Sequence, residues 1–328
     1  MSAELKTLLA SIQMAEAQTY RNITVFPLIF HGNGTPEYRT LGEVIQDRSL
    51  IVTEVSQAGS VPNLKVLNQG NRPVLLIDGE ELVGAKQNRV LNTSILLKEH
   101  SETILPVSCT EQGRWSYASP AFGDSGVVMA HRSRARHSSS VSASLASGAH
   151  FSSDQGEVWR EIEALHAKSH TSSPTGAMRD VFAARKAELE ACVKAFATVP
   201  NQNGLLVLIN GDVAGFDFVS RPAAYARLHA KLLKSYVIEA LVEPGQVTME
   251  PAQAQERARV FLAEAQQSEE SRFPSIGHGV DVRFKRPGLA GTALIHDNRV
   301  IHTVFFRLPT QAQAGGMAPF RSRRGFGY

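Results

Sequence analysis

Six short runs rich in β-branched and apolar residues dominate the first third of the chain: 23-ITVFPLIF-30, 50-LIVTEV-55, 64-LKVLNQG-70, 74-VLLI-77, 90-VLNTSILL-97 and 103-TILPVSC-109. Each is bounded by Gly, Pro, Asn or Asp, which is the pattern of strands closed by turns. Only 40-TLGEVIQDR-48 reads as helix there. Strands recurring about every ten residues, with no long helix between them, predict antiparallel pairing in a sandwich or barrel rather than a doubly wound parallel sheet.

The period then changes. Val158, Ile162 and Leu165 in 154–169, and Met178, Phe182, Leu189, Val193 and Phe196 in 175–199, fall at helical spacing, with Asp154 and Thr175 as N-caps. The run 205-LLVLINGDVAGFDFVS-220 reads as a hairpin turning at Asn210-Gly211. A helix over 222–242 follows, starting at Pro222, and then a more exposed one over 251–268. Two or three strands over 279–306, joined at Pro287-Gly288 and Asp297-Asn298, end the pattern. The predicted fold class is α+β, with an antiparallel β-rich N-terminal lobe (sandwich or barrel-like), a helical middle and a second small β layer covered by helices. We expect one compound domain over 1–308, with a β-rich lobe at 20–120, helices at 151–200 and a β-hairpin/helix/β lobe at 201–308. The Ser-, Arg- and His-rich stretch 131-HRSRARHSSSVSASLASGAH-150 lacks an apolar period and reads as a flexible loop, and 310–328 as a disordered basic tail.

Composition narrows the class more than the function. At 328 residues and 43% hydrophobic, the chain can bury a sizeable core, and a formal charge of +3 gives no global field for nucleic acid. Cys109 and Cys192 stand far apart in neither CxxC nor Cys/His spacing, which argues against a disulfide framework and a structural zinc site. The N-terminal stretch lacks the basic start and long apolar run of a signal peptide, and no run approaches a membrane span. The expectation is a soluble, cytoplasmic chain without membrane or nucleic-acid partners; a homo-oligomer stays open.

Candidate chemistry concentrates in 74-VLLIDGEELVGAKQNRVLNTSILL-97 and 109-CTEQGRW-115. If these polar segments meet at adjacent strand ends, Lys86, Arg89 and Arg114 would face an anion. Gln87 and Asn88 would orient it, and Trp115 would stack on a ring. Glu80 and Glu81 point to opposite faces if they lie in a strand, so one of them, taken as Glu80, would join Glu111 as an acid/base pair or hold a hard cation. The bland alternative is that the same charges pair across a sheet rim. Cys109 follows a strand and precedes Arg114, as in anion-cradling cysteine loops. Glu111 and the absence of a helix after Trp115 argue against that chemistry. The arginines of 131–137 read as solvated, and His296 and His302 as hairpin residues. No metal site and no particular cofactor emerges.

Taken together, 78-DGEELVGAKQNRVLNTSILL-97, 106-PVSCTEQGRW-115, the 205–220 hairpin and 228-LHAKLLKSYVIEAL-241 resemble the ARG and rhodanese-phosphatase-superfamily-associated protein domain family over about residues 20 to 308. The family's polar signature falls on Glu80, Gly84, Gln87, Asn88, Arg89, Cys109, Glu111, Arg114 and Trp115. Its name comes from gene neighbours that include ADP-ribosylglycohydrolases. The resemblance therefore implies a role with ADP-ribose or related nucleotides, and gives Cys109 no rhodanese chemistry. Two functions stand side by side: binding or processing an anionic nucleotide-like small molecule, or a non-catalytic interaction module in which these residues brace the sheet.

Overall fold

Alternation along 202–209 sets the architecture, because Leu205 and Val207 face one way, Leu206 and Leu208 the other, and all four are buried. A strand apolar on both faces belongs in the middle of a sheet covered on both sides. The computed structural model describes residues 1–32, 36–243, 245 and 249–308 and places eight helices and eighteen strands among them. Gln202–Ile209 lies inside a nine-stranded antiparallel sheet. Its main path runs Gln13–Met14, Ile23–Ile29, Gln202–Ile209, Asp212–Val219, Arg299–Arg307, Leu289–His296, Val280–Arg286 and Glu269–Pro274, with Gln18–Tyr20 also pairing with Ile23–Ile29. Asn210 and Gly211 close the central hairpin with φ of 53° and 84°, as a two-residue turn matching the strand twist requires. Asp297 and Asn298 repeat the device at 49° and 57°.

One face of this sheet packs on the helices Gln155–Ser169, Met178–Ala184, Lys186–Ala195 and Pro222–Val242 through Leu228, Leu232, Tyr236 and Phe196. The other packs on Ala3–Ser11 and Pro251–Gln266 through Leu5, Phe261 and Phe305. A third cluster, around Leu64, Leu76, Leu91 and Leu105, fills the N-terminal lobe. There a six-stranded antiparallel sheet runs Phe122–Val128, Glu80–Gly84, Arg89–Leu91, Ser101–Cys109, Asn63–Asn68 and Leu50–Glu54. Ile95–Leu97, Val74–Leu76 and Arg39–Thr40 form a smaller one beside it. The α+β class and antiparallel pairing are as the pattern predicts. Ile23–Ile29, read as part of the first lobe, pairs with Gln202–Ile209 and so enlarges the C-terminal layer.

Several local expectations are corrected. The stretch 131–150 is no loop: His131–Ala146 is a helix. Its inward face carries Arg134, His137 and Ser138 beside Ala135, Val141 and Leu145, so a buried polar face hides the apolar period. The 175–199 helix is two, Met178–Ala184 and Lys186–Ala195, and Thr175 lies outside both. Asp154 does cap its helix, accepting from Glu157 N–H at 3.0 Å. The helix Pro251–Gln266 is more exposed than Pro222–Val242, as expected, and buries only a narrow face of Ala254, Ala258, Phe261, Leu262 and Ala265. The edge strand Glu269–Pro274 carries no apolar alternation to announce it. The tail at 310–328 lies outside the described residues.

Candidate functional site

The stretch 74–97 is a hairpin in two storeys. Val74–Leu76 pairs with Ile95–Leu97, and Glu80–Gly84 pairs with Arg89–Leu91. Asp78-Gly79 marks the bend between the storeys, with Gly79 at φ 74°, and 85–88 form the tip. Gly84 sits at φ 124° where a Cβ would run into Ser119 Oγ and the Ala121 carbonyl, so the chain can turn there only as glycine.

The tip meets the end of Ser101–Cys109 and the following loop. Gln87 donates to the Glu111 carbonyl, while its Oε1 accepts from Arg89 Nη1 at 3.0 Å and from the Cys109 thiol at 2.9 Å. Arg89 Nη1 also donates to the Gln87 carbonyl at 2.9 Å. The Arg89 side chain is fully buried, yet its Nε and Nη2 find no partner among the described residues. Burial presses its pKa down, with Cys109, Glu54 and Glu111 acting the other way. Trp115, 47% exposed, roofs the guanidinium at 5.6 Å. Lys86 Nζ lies 5.4 Å from the Trp115 ring and 5.2 Å from the Tyr117 ring, and donates to the Ala58 carbonyl at 2.8 Å. Glu54 accepts from Lys86 N–H at 3.3 Å, and its second oxygen is buried without a partner among the described residues.

Beside this lies a network that is internally satisfied. Glu111 accepts from Arg114 Nη2 at 2.6 Å, Asn88 N–H at 3.2 Å and Thr175 Oγ1 at 2.9 Å. Burial works against its charge, but these bonds hold the carboxyl below its ordinary value. Arg114 Nη1 and Nη2 also donate to the carbonyls of Ala85, Ser116 and Gly84 and to Asn88 Oδ1. Its donors therefore brace the loop.

Glu80 does not join Glu111. It shares Lys231 Nζ with Asp124, each at 2.6 Å. Burial opposes the Lys231 charge, and the two carboxylates hold its pKa above the ordinary value. The neighbour that shares the side of Glu111 is Glu81, fully buried, with Oε1 accepting from Thr110 Oγ1 at 2.8 Å and Oε2 unpartnered among the described residues. Burial lifts its pKa to about 7. Of the residues singled out from sequence, Lys86, Arg89 and Trp115 meet with Gln87 behind them. Asn88, Glu111 and Arg114 form the adjoining brace, and Glu80 faces elsewhere. Sequence reasoning missed Glu54 and Tyr117; the spacing Trp115–Tyr117, period two past a strand end, was the available signal.

Burial pushes the Cys109 thiol up to about 11, so it is no thiolate nucleophile at neutral pH. No group of three or more His, Cys, Asp or Glu able to hold a metal occurs among the described residues. Nor does any helix long and apolar enough to cross a membrane.

A second polar cluster lies deeper. Arg134, fully buried, donates to Asp78 through Nε and Nη2, both at 2.9 Å, and pairs with Asp217 through Nη1 at 2.8 Å. Tyr236 donates to Asp217 at 2.7 Å, and His302 meets Ser94 Oγ at 2.9 Å. These carboxylates come from the hairpin bend and from Asp212–Val219, so Arg134 ties the N-terminal lobe to the central sheet.

An antiparallel α+β scaffold carrying a basic, aromatic-roofed cluster at a hairpin tip is the class these features define. The chain belongs to the ARG and Rhodanese-Phosphatase-superfamily-associated Protein domain family, whose model matches residues 11–306. No match was found among curated proteins or among solved structures.

Proposed function

We propose that the protein binds an anionic, ring-bearing small molecule of nucleotide type, in the class of ADP-ribose and NAD, at the Lys86–Arg89–Trp115 cluster. The observation that carries this reading is the buried guanidinium of Arg89, with two nitrogens lacking partners under a half-exposed indole. An unpaired buried charge costs several kcal/mol, and a phosphate oxygen completing those bonds would recover much of it. Lys86, Arg89 and Arg114 set three positive charges against the two carboxylates of Glu54 and Glu111, which leaves room for an anion. Trp115 covers Arg89, so the anion reaches the guanidinium when the indole swings aside, and the ring of the ligand then stacks on Trp115 or Tyr117. In this reading Gln87 and the Asn88–Glu111–Arg114 brace position the cations. Catalysis forms no part of the proposal.

A thermal-shift screen with ADP-ribose, NAD, mononucleotides and inorganic pyrophosphate tests it. A ligand at about 100 times its dissociation constant stabilises the fold by roughly 2.7 kcal/mol. The shift should vanish in Arg89→Met and shrink in Trp115→Ala. A panel without a shift favours the second reading, an interaction module. The exposed Ile51, Val61 and Ile104 around the outer face of the six-stranded sheet favour that reading, and light scattering would then show a defined oligomer.

A further inference from the structure

Ser108 and Cys109 are consecutive in one strand and so face opposite ways. Cys109 turns to Gln87 and the Arg89 cluster, and Ser108 turns to a different place: a cleft of about 370 Å³ between the ends of the strands Asn63–Asn68 and Ser101–Cys109 and the segment 150–155. Val61, Pro62, Pro106, Val107 and Phe151 supply its apolar walls, and Asn92 and Ser108 polar groups. No Asp, Glu, Lys or Arg lines it among the described residues. Both the size and the mixture are those of a small-molecule site.

The polar groups are held in place. Asn92 donates through Nδ2 to the Phe151 carbonyl at 2.8 Å, which can only accept, so the amide orientation is fixed. Its Oδ1 then accepts from Ser108 Oγ at 2.8 Å and faces His137 Nε2 at 3.0 Å. His137 Nε2 therefore carries the proton, and the 3.4 Å from it to Ser108 Oγ is not a base accepting from a nucleophile. Burial presses the His137 pKa down to about 4, so the ring is neutral. Ser108, with its hydrogen spent on Asn92, offers lone pairs and nothing to donate. Ser153 Oγ, also at the cleft, is buried without a partner among the described residues.

We propose that this cleft is a second ligand site, taking an uncharged heteroaromatic ring with N–H or amino donors, of the nucleoside class. The absence of Lys and Arg from the lining disfavours a phosphate or carboxylate here. The flat walls of Pro62, Pro106 and Phe151 suit a ring, and Ser108 requires a donor on its edge. The site is independent of the Arg89 cluster and does not stand or fall with it.

The test uses the full chain and four uncharged probes: adenosine, guanosine, cytidine and uridine. Saturation-transfer NMR should detect at least one, and titration calorimetry should give its affinity. Val61, 41% exposed at the cleft, can be enlarged without touching the core, so Val61→Trp should abolish binding with an unchanged melting temperature. Ser108→Ala should weaken it roughly fivefold, the worth of one hydrogen bond, and Arg89→Met should leave it unchanged. In the wild-type protein, the bound probe should shift the imidazole signals of His150, which lines the cleft. Absence of binding by all four nucleosides, or binding that Val61→Trp and His150 do not register, overturns the proposal.

Discussion

Arg134 and Arg89 are both withdrawn from solvent, yet Arg134 meets two carboxylates while Arg89 bonds through one nitrogen to carbonyl and amide oxygens. The pKa of the first is held above its ordinary value, because Asp217 and Asp78 outweigh burial; that of the second is pressed down by burial. Buried charge thus serves two ends in one molecule. Where partners come from both lobes it fastens them together, and where two guanidinium nitrogens lack partners among the described residues the proposed function has an anion supply them.

The sharpest way to break this comparison is to remove Arg134. Arg134→Met leaves Asp78 and Asp217 buried without their cation, and deleting one partner of a buried pair costs about 3–5 kcal/mol. Chemical denaturation should show a loss of that size or failure to fold. A melt close to wild type would mean the carboxylates are protonated or wetted, and that the lobes are held by other contacts.

Next in size is the pH behaviour of two buried groups that lie outside both arginine clusters. Glu81 has its pKa raised from 4.5 to about 7, so its contribution is fully present below pH 4.5 and is lost as pH rises to about 7. His137 has its pKa lowered from 6.5 to about 4, so its contribution is present above pH 6.5 and is lost as pH falls toward 4. Each amounts to roughly 3 kcal/mol over its window. The two slopes oppose one another, and stability from this pair should be nearly flat between pH 4.5 and 6.5. Glu81→Gln should uncover the His137 slope. The variant would match wild type near pH 4 and exceed it increasingly up to pH 7, as read from denaturation midpoints. Parallel pH profiles for the two proteins would show that Glu81 ionises normally.

These buried groups also mark how far the sequence could be read. Strands such as Ile23–Ile29 and Gln202–Ile209 were legible because short β-branched and apolar runs bounded by turn residues mark strands buried on both faces. Likewise, Lys86, Gln87, Arg89 and Trp115 were legible as one cluster because charged, amide and aromatic residues crowd a hairpin tip and a strand end, and the fold brings them into contact. The helix His131–Ala146 was not, since its buried face is Arg134, His137 and Ser138, and polar residues announce burial only when their partners are known. Those partners, Asp78, Asp217 and Asn92, lie 83 residues or fewer away in sequence but on other elements. Glu80 and Glu81 show the same limit. Alternation correctly put them on opposite faces, but it could not say that Lys231, over a hundred residues on, would claim Glu80.

The smallest effect on stability is expected where the effect on binding is largest. Arg89→Met removes the bonds from Nη1 but also relieves two buried nitrogens without partners among the described residues, so its net cost should be at most about 1–2 kcal/mol. That is well below the cost at Arg134. Trp115 fluorescence, followed in a Trp159→Phe background, should respond to ADP-ribose or pyrophosphate in the parent and not in Arg89→Met, because in the proposed binding mode the indole over Arg89 swings aside as an anion reaches the guanidinium. A stability loss at Arg89 equal to that at Arg134, with fluorescence silent in both proteins, would make Arg89 a second brace and end the distinction between a paired and an unpaired buried charge.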